Sequence, residues 1–185
     1  YMFVENADKG KFILRIAKNT KKKKDLLFEI NLLNTLKCLP VPRYVKDKKD
    51  RYINRFRGHH YSVYKYLEAK MPQKITAHLL KEIAFFLAKF HNQTKNFNGN
   101  QQRFAWYTFT KERADEFEKY LVKKLVDYRD EIHYLKSEVL DNVLPENIPK
   151  GPIHVDVRRE NVLAVGDTLT GVVDFDNCQI GPYIL

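Results

Sequence analysis

Apolar positions recur along this chain in two rhythms, one of strands and one of helices. Tyr1 to Val4 (YMFV) and Lys11 to Ile16 (KFILRI) are short β-prone stretches separated by the turn-rich ENADKG, the pattern of a hairpin. From Asp25 the spacing changes to Leu26, Leu27, Ile30, Leu33 and Leu36, which predicts a helix stopped by LPVP at Leu39 to Pro42. Arg43 to Val45, Tyr52 to Phe56 and Tyr61 to Leu67 are short and rich in Tyr, Val, Ile and Phe, and read as strands joined by charged turns. The first 67 or so residues therefore predict a small, mostly antiparallel sheet with one inserted helix.

After Pro72 the helical rhythm takes over. Leu79, Leu80, Ile83, Phe86, Leu87 and Phe90 predict a long amphipathic helix capped by Thr76, with Phe85 also assigned to the core, until Asn96, Asn98, Gly99 and Asn100 break it. A second helical region is predicted from about Thr110 to about Leu140, with apolar positions at Phe117, Leu121, Leu125 and Ile132, and LPENIPKGP ends it. Trp106 and Tyr107 precede it in an irregular segment, where core packing is the default. The last stretch returns to short apolar runs, IHVDV, NVLAV and GVVDF, with a hairpin turn at Gly166-Asp167. The fold class is α+β.

Composition narrows this picture. With 44% hydrophobic and 30% charged residues the chain builds a real core and is not a disordered segment. Two cysteines, Cys38 and Cys178, cannot form a disulfide scaffold and suit a reducing cytoplasm. No apolar run reaches the roughly 20 residues of a membrane span, so membrane insertion is not expected. Position 1 is Tyr and not Met, so the natural N-terminus is expected upstream. The net charge of +10 is concentrated in Lys18 to Lys24 and Lys46 to Arg57, the second run interleaved with aromatics. A nucleic-acid partner is not expected, because no recognisable nucleic-acid module surrounds either run; they read as a solvated loop before a helix and a solvated hairpin. His59-His60 reads as a turn, since no Cys or acidic partner lies at metal-ligand spacing.

Chemistry concentrates near the C-terminus. His154-Val155-Asp156 is followed five residues after the Asp by Asn161, and a hairpin later by Val172-Val173-Asp174. Phosphoryl transfer needs a carboxylate near the acceptor hydroxyl and oxygen ligands for the magnesium on the nucleotide phosphates, and an H-x-D-x-x-x-x-N loop followed by a strand ending in D-F supplies them in order. The bland alternative is a surface hairpin whose Asp and Asn only make turns. Against it, Asp174 follows the apolar Gly-Val-Val, and a carboxylate ending a buried strand requires a partner. Glu29 raises the same question, lying on the apolar side of its helix between Leu26 and Leu33.

GPIHVDVRRENVLAVGDTLTGVVDFDNCQIGP resembles the catalytic segment of the aminoglycoside phosphotransferase superfamily, whose pattern is close to H-G-D-L-H-x-x-N-V-L followed by G-V-I-D-F. That superfamily includes type II homoserine kinases and choline kinases, and the GDTLTGVVDF hairpin is most similar to the homoserine kinase branch. Upstream, KGKFILRI resembles the third strand of the N-lobe, EINLLNTLKCLPVP the helix carrying a Glu, VYKYLEAK the hinge, and LLKEIAFFLAKFHN the first C-lobe helix. The resemblance implies a protein-kinase-like two-lobed fold, with an N-lobe over residues 1–68 and a C-lobe over residues 69–185.

Carried across residue by residue, the resemblance makes Asp156 the catalytic base that positions the acceptor hydroxyl, and Asn161 and Asp174 the magnesium ligands. Glu29 pairs with the phosphate-binding cation, by position Arg15; Tyr66 and Leu67, with the backbone from Tyr64, face the adenine. His154 braces the loop, and Asp176 sits behind the metal ligands or at the surface. Val155 replaces the usual Gly, Arg158-Arg159 a His-Pro type dipeptide, and Arg15 a common Lys. The glycine-rich phosphate loop and the helices after Asp174 are absent from the chain, which therefore resembles a fragment of such an enzyme. The implied activity is ATP- and Mg2+-dependent phosphorylation of a small-molecule hydroxyl, with homoserine first and aminoglycosides, choline and sugars behind it. A catalytically weak kinase-like binding or structural protein is the alternative; the sequence carries no sign of oligomeric state.

Overall fold

The computed structural model describes residues 2–6, 10–18, 21–99, 111–123, 128–139 and 147–183. Two compact units divide the chain, residues 1–101 with 150–185, and residues 102–149.

In the first unit, β1 (Met2–Asn6) and β2 (Gly10–Ile16) form the hairpin expected from the two apolar runs, with Met2 opposite Leu14. β2 also pairs with β5 (His59–Lys65), placing Arg15 opposite Ser62. β3 (Tyr44–Val45) and β4 (Asn54–Phe56) both pair with β5, completing a five-stranded sheet. The β4–β5 turn is Arg57-Gly58, both at positive φ (46° and 85°), the geometry that a two-residue hairpin loop requires. His59 and His60 therefore open strand β5 and are not the turn expected of them. The basic run here is partly neutralised from within: Asp50 binds Lys46 at 2.8 Å, and Asp47, held down to about 2 by hydrogen bonds from Arg51, binds that guanidinium at 2.8 Å.

α1 (Lys23–Thr35) starts where the Asp25 carboxylate accepts the Lys22 N–H at 3.1 Å. Beyond its end, Arg43 binds the carbonyls of Leu33 (3.0 Å) and Leu39 (2.9 Å). α2 (Ala77–Thr94) starts at Thr76, whose hydroxyl accepts the Leu79 N–H at 3.2 Å as expected. Its buried stripe is Leu79, Ile83, Phe86 and Phe90. Leu80 (58% exposed) and Phe85 (64% exposed) depart from the expected core. At about 100° per residue Leu80 and Phe85 each lie roughly 110° off the line through Leu79 and Phe86, on opposite sides of it. Ile30 and Leu33 of α1, with Leu36 just past its end, join Phe86 and Phe90 of α2, and Val172 and Phe175 near the C-terminus, in one core. Each such side chain contributes about 1.5–3 kcal/mol on burial, so helix and C-terminal segment hold each other in place.

The C-terminal apolar runs form two small sheets, β6 (Lys150–Ile153) with β9 (Gln179–Pro182), and β7 (Val162–Val165) with β8 (Thr168–Val172). Gly166, at φ 58°, makes the β7–β8 turn where the sequence places it. In the second unit, α3 (Lys111–Lys123) is followed by α4 (Arg129–Tyr134), which runs into a π-helical turn, Leu135–Val139. Lys136 lies 2.7 Å from Asp115 and 2.6 Å from Glu118. Leu121 and Ile132 are buried and Phe117 is exposed, while Leu125, Trp106 and Tyr107 lie outside the described residues. Among the described residues no helix is long and apolar enough to cross a membrane.

Candidate active site

β6 delivers His154 into the core, 2% exposed, with its ring 4.4 Å from that of Phe175. Its Nε2 lies 3.0 Å from the Val173 carbonyl. A carbonyl can only accept, so Nε2 carries the proton and Nδ1 is left to accept the Asp156 N–H at 3.3 Å. Burial pushes the imidazole pKa down, against the opposing pull of the Val173 carbonyl and of Asp174 and Asp156, so the ring is neutral. Val155 between them sits at φ 75°, left-handed backbone in which a β-branched residue is an outlier. The His-x-Asp loop thus braces Asp156 through a neutral His on one side and a strained residue in the middle.

A 3₁₀ turn, Arg159–Asn161, brings the chain back on itself. Asn161 is buried, and its Nδ2 donates to the Asp156 carbonyl (2.8 Å) and carboxylate (3.1 Å). Its own carbonyl accepts the Val173 N–H at 2.9 Å, so Val173 is tied to both Asn161 and His154. Asp174 comes next, at φ 63°, half-buried, with no hydrogen-bond or ion-pair partner for its carboxylate among the described residues. It acts electrostatically on His154 and on Tyr64 of β5. Arg158 lies 3.3 Å from Asp156 with its side chain 61% exposed.

Across the first unit, Arg15 and Glu29 are paired at 2.6 Å, both buried. From the sequence, Tyr44, Asp176 and Lys21 were not expected in this cluster, and Asp176 was expected behind the metal ligands or at the surface. Tyr44 bonds Arg15 at 2.6 Å and Glu29 at 2.8 Å. Asp176 pairs with Arg15, and its other carboxylate oxygen with Lys21 at 2.8 Å. Lys21 also donates to the Asp176 carbonyl at 2.9 Å, so the first basic run is not wholly the solvated loop expected of it. Tyr64 is pushed up to about 12 by burial, with Glu29 and Asp174 adding and Arg15 opposing, which places it within electrostatic reach of all three. In the hinge segment the Tyr66 N–H donates to Lys11 (3.0 Å) and the Leu67 carbonyl accepts from Ala69 (2.8 Å). Leu67 and Leu163 lie over Gly171, where an added Cβ would come 3.1 Å and 3.0 Å from their methyl groups. His91, in the last turn of α2, stacks on Tyr183 at 4.4 Å, a packing role.

The uncommitted oxygens suit a hard cation: Asn161 Oδ1, because Nδ2 is the atom facing Asp156, and the Asp174 carboxylate. Among the described residues no group of three or more His, Cys, Asp or Glu side chains is placed to hold a metal. A Mg2+ here would therefore complete its shell with phosphate oxygens and water, as Mg2+ sites on nucleotides do.

Residues 2–185 match the model of the phosphotransferase enzyme family designated APH. The chain belongs to that family. It is 28% identical over 186 residues to a homoserine kinase of Agrobacterium fabrum and 31% identical over 185 residues to one of Bradyrhizobium diazoefficiens. Each alignment covers 94% of this chain and 54% of the relative, so the chain spans about half the length of the curated relatives it matches. Among solved structures, an amicoumacin kinase in complex with AMP-PNP and Ca2+ superposes with a TM-score of 0.75 at 15% identity, over 98% of this chain and 57% of that one. An aminoglycoside phosphotransferase from Alicyclobacillus acidocaldarius gives 0.71 at 14% identity, over 98% and 61%. The fold is accordingly the protein-kinase-like α+β fold expected from the resemblance.

Proposed function

We propose that the protein carrying this chain is an ATP-dependent phosphotransferase acting on the hydroxyl of a small molecule, with homoserine the first acceptor to try. The observation that carries this reading is the contact between Asn161 and Asp156 beside the uncommitted carboxylate of Asp174. Asp156, half-buried and fixed through its N–H and carboxylate, would orient the acceptor hydroxyl and take its proton. Asn161 and Asp174 would hold Mg2+, and Arg15, braced by Glu29, would face the phosphates. Bound Mg2+ would neutralise phosphate charge as it develops. The backbone of Tyr66 and Leu67 would border the adenine, in an N-lobe over residues 1–68 and a C-lobe over residues 69–185. The homoserine kinase names of the curated relatives it matches favour that acceptor.

The test is an acceptor screen on the full-length protein with ATP and Mg2+, led by homoserine and followed by aminoglycosides, choline and sugars. Phosphorylated product that requires the metal is expected. Nucleotide binding by calorimetry without turnover of any acceptor would select the kinase-like binding protein in its place.

A further inference from the structure

A lysine ammonium is a compact charge that one carboxylate can position, whereas a guanidinium is a planar fork whose orientation must also be stopped. Among the described residues the fork at Arg15 meets Glu29 through Oε1 at 2.6 Å, and Glu29 Oε2 has no hydrogen-bond partner. Asp176 holds the other nitrogen, Nη2, and a further restraint on Nη1 comes from Tyr44. Its hydroxyl accepts from the same Arg15 Nη1 at 2.6 Å and donates to the same Glu29 Oε1 at 2.8 Å, closing a three-membered ring of bonds. The phenol is 9% exposed and packs edge-on against Tyr64, with ring centroids 5.4 Å apart. Burial and the neighbouring Glu29 carboxylate hold its pKa above the usual range, so the hydroxyl keeps the proton it donates.

We propose that Tyr44 is a positioning residue for the nucleotide phosphates: it locks the Arg15 fork against Glu29, and an arginine at this position depends on it in a way that a lysine would not. The proposal rests on the phosphotransferase reading for its kinetic consequence, but not for its geometric one.

Two measurements on the full-length protein test it. Tyr44→Phe is expected to raise KM for ATP about tenfold, the scale of one lost hydrogen bond to a charged group, while kcat changes less than about threefold. In the Arg15→Lys background the same substitution should change KM less than about twofold; equal effects in both backgrounds would overturn the proposal. The second readout needs no turnover. Arginine side-chain 15N NMR should show separate Nη1 and Nη2 signals for Arg15, exchanging at least about fivefold faster in Tyr44→Phe. Averaged signals in the unsubstituted protein, a result that requires no variant to fold, or an unchanged exchange rate in Tyr44→Phe, would overturn it. The expected NMR behaviour in a protein that neither binds nor turns over ATP would sustain the Tyr44 bracing and remove the phosphotransferase reading alone.

Discussion

Asn161 Nδ2 holds Asp156 twice, at the backbone carbonyl (2.8 Å) and at the carboxylate (3.1 Å), from five residues further along the chain. The loop between them is thereby closed by a side chain whose amide oxygen has no hydrogen-bond partner among the described residues. Asn161→Ala removes both bonds and leaves the Asp156 carbonyl without this donor. We expect a loss of about 1–3 kcal/mol in chemical denaturation, together with loss of turnover at temperatures where the variant is fully folded. Denaturation midpoints indistinguishable from the unsubstituted protein would show that the bonds do not hold the loop.

Asp174 offers the opposite case. Its carboxylate has no hydrogen-bond or ion-pair partner among the described residues, and its backbone is left-handed at φ 63°, a conformation that Asn adopts readily. Asp174→Asn should therefore change stability by less than about 0.5 kcal/mol, as a substitution away from packed or bonded features does. On the proposed reading turnover should fall at least about 10²-fold, because the charge that would hold the metal is removed. Activity close to that of the unsubstituted protein would count decisively against Asp174 as a metal ligand.

What could be seen in the sequence was local. The His154–Asp156–Asn161 loop and the Asp174 strand lie within 21 residues, so turn signals and apolar flanks were enough to place them together. The hairpins and both capped helices follow from the same short-range rules. Angular detail was lost where residue type alone was used: Phe85 is apolar but faces out, and Gly58 moved a turn off the two histidines. Arg15 and Glu29 could be paired only through the family resemblance and the cost of a buried charge. Tyr44 reaches Arg15 from 29 residues away and Lys21 reaches Asp176 from 155 away, contacts that no periodicity encodes because the core between α1 and the C-terminal segment creates them.

Val155 carries a backbone cost. At φ 75° its branched Cβ crowds the backbone, at roughly 1–2 kcal/mol for a left-handed L-residue. Glycine, the residue the family pattern has here, removes that cost but loses more chain entropy on folding, about 0.5–1 kcal/mol. The balance favours Val155→Gly by up to about 1.5 kcal/mol. Urea denaturation measures it directly, and a destabilised variant would mean that the valine side chain, half-buried in the loop, contributes packing larger than its strain.

His154 makes the fold sensitive to acid, and the sign follows from its burial. In the folded chain the imidazole pKa is lowered, first by burial, so the ring is neutral against Val173 and Phe175. The unfolded chain takes up a proton at the ordinary value near 6.5, so unfolding binds a proton at mildly acidic pH. Stability from this group is complete above about pH 6.5 and is lost progressively as the pH falls below it toward the folded pKa. His154→Gln keeps a nitrogen donor for the Val173 carbonyl but cannot titrate. The variant should be less stable at pH 7.5, through lost ring packing, yet its denaturation midpoint should fall less steeply between pH 7.5 and 5.5. His91, also lowered by burial, titrates in both proteins and cancels in the comparison. Parallel pH profiles would show that folding leaves the His154 pKa unshifted, and a variant whose midpoint falls more steeply than that of the unsubstituted protein would show that the folded ring holds the proton.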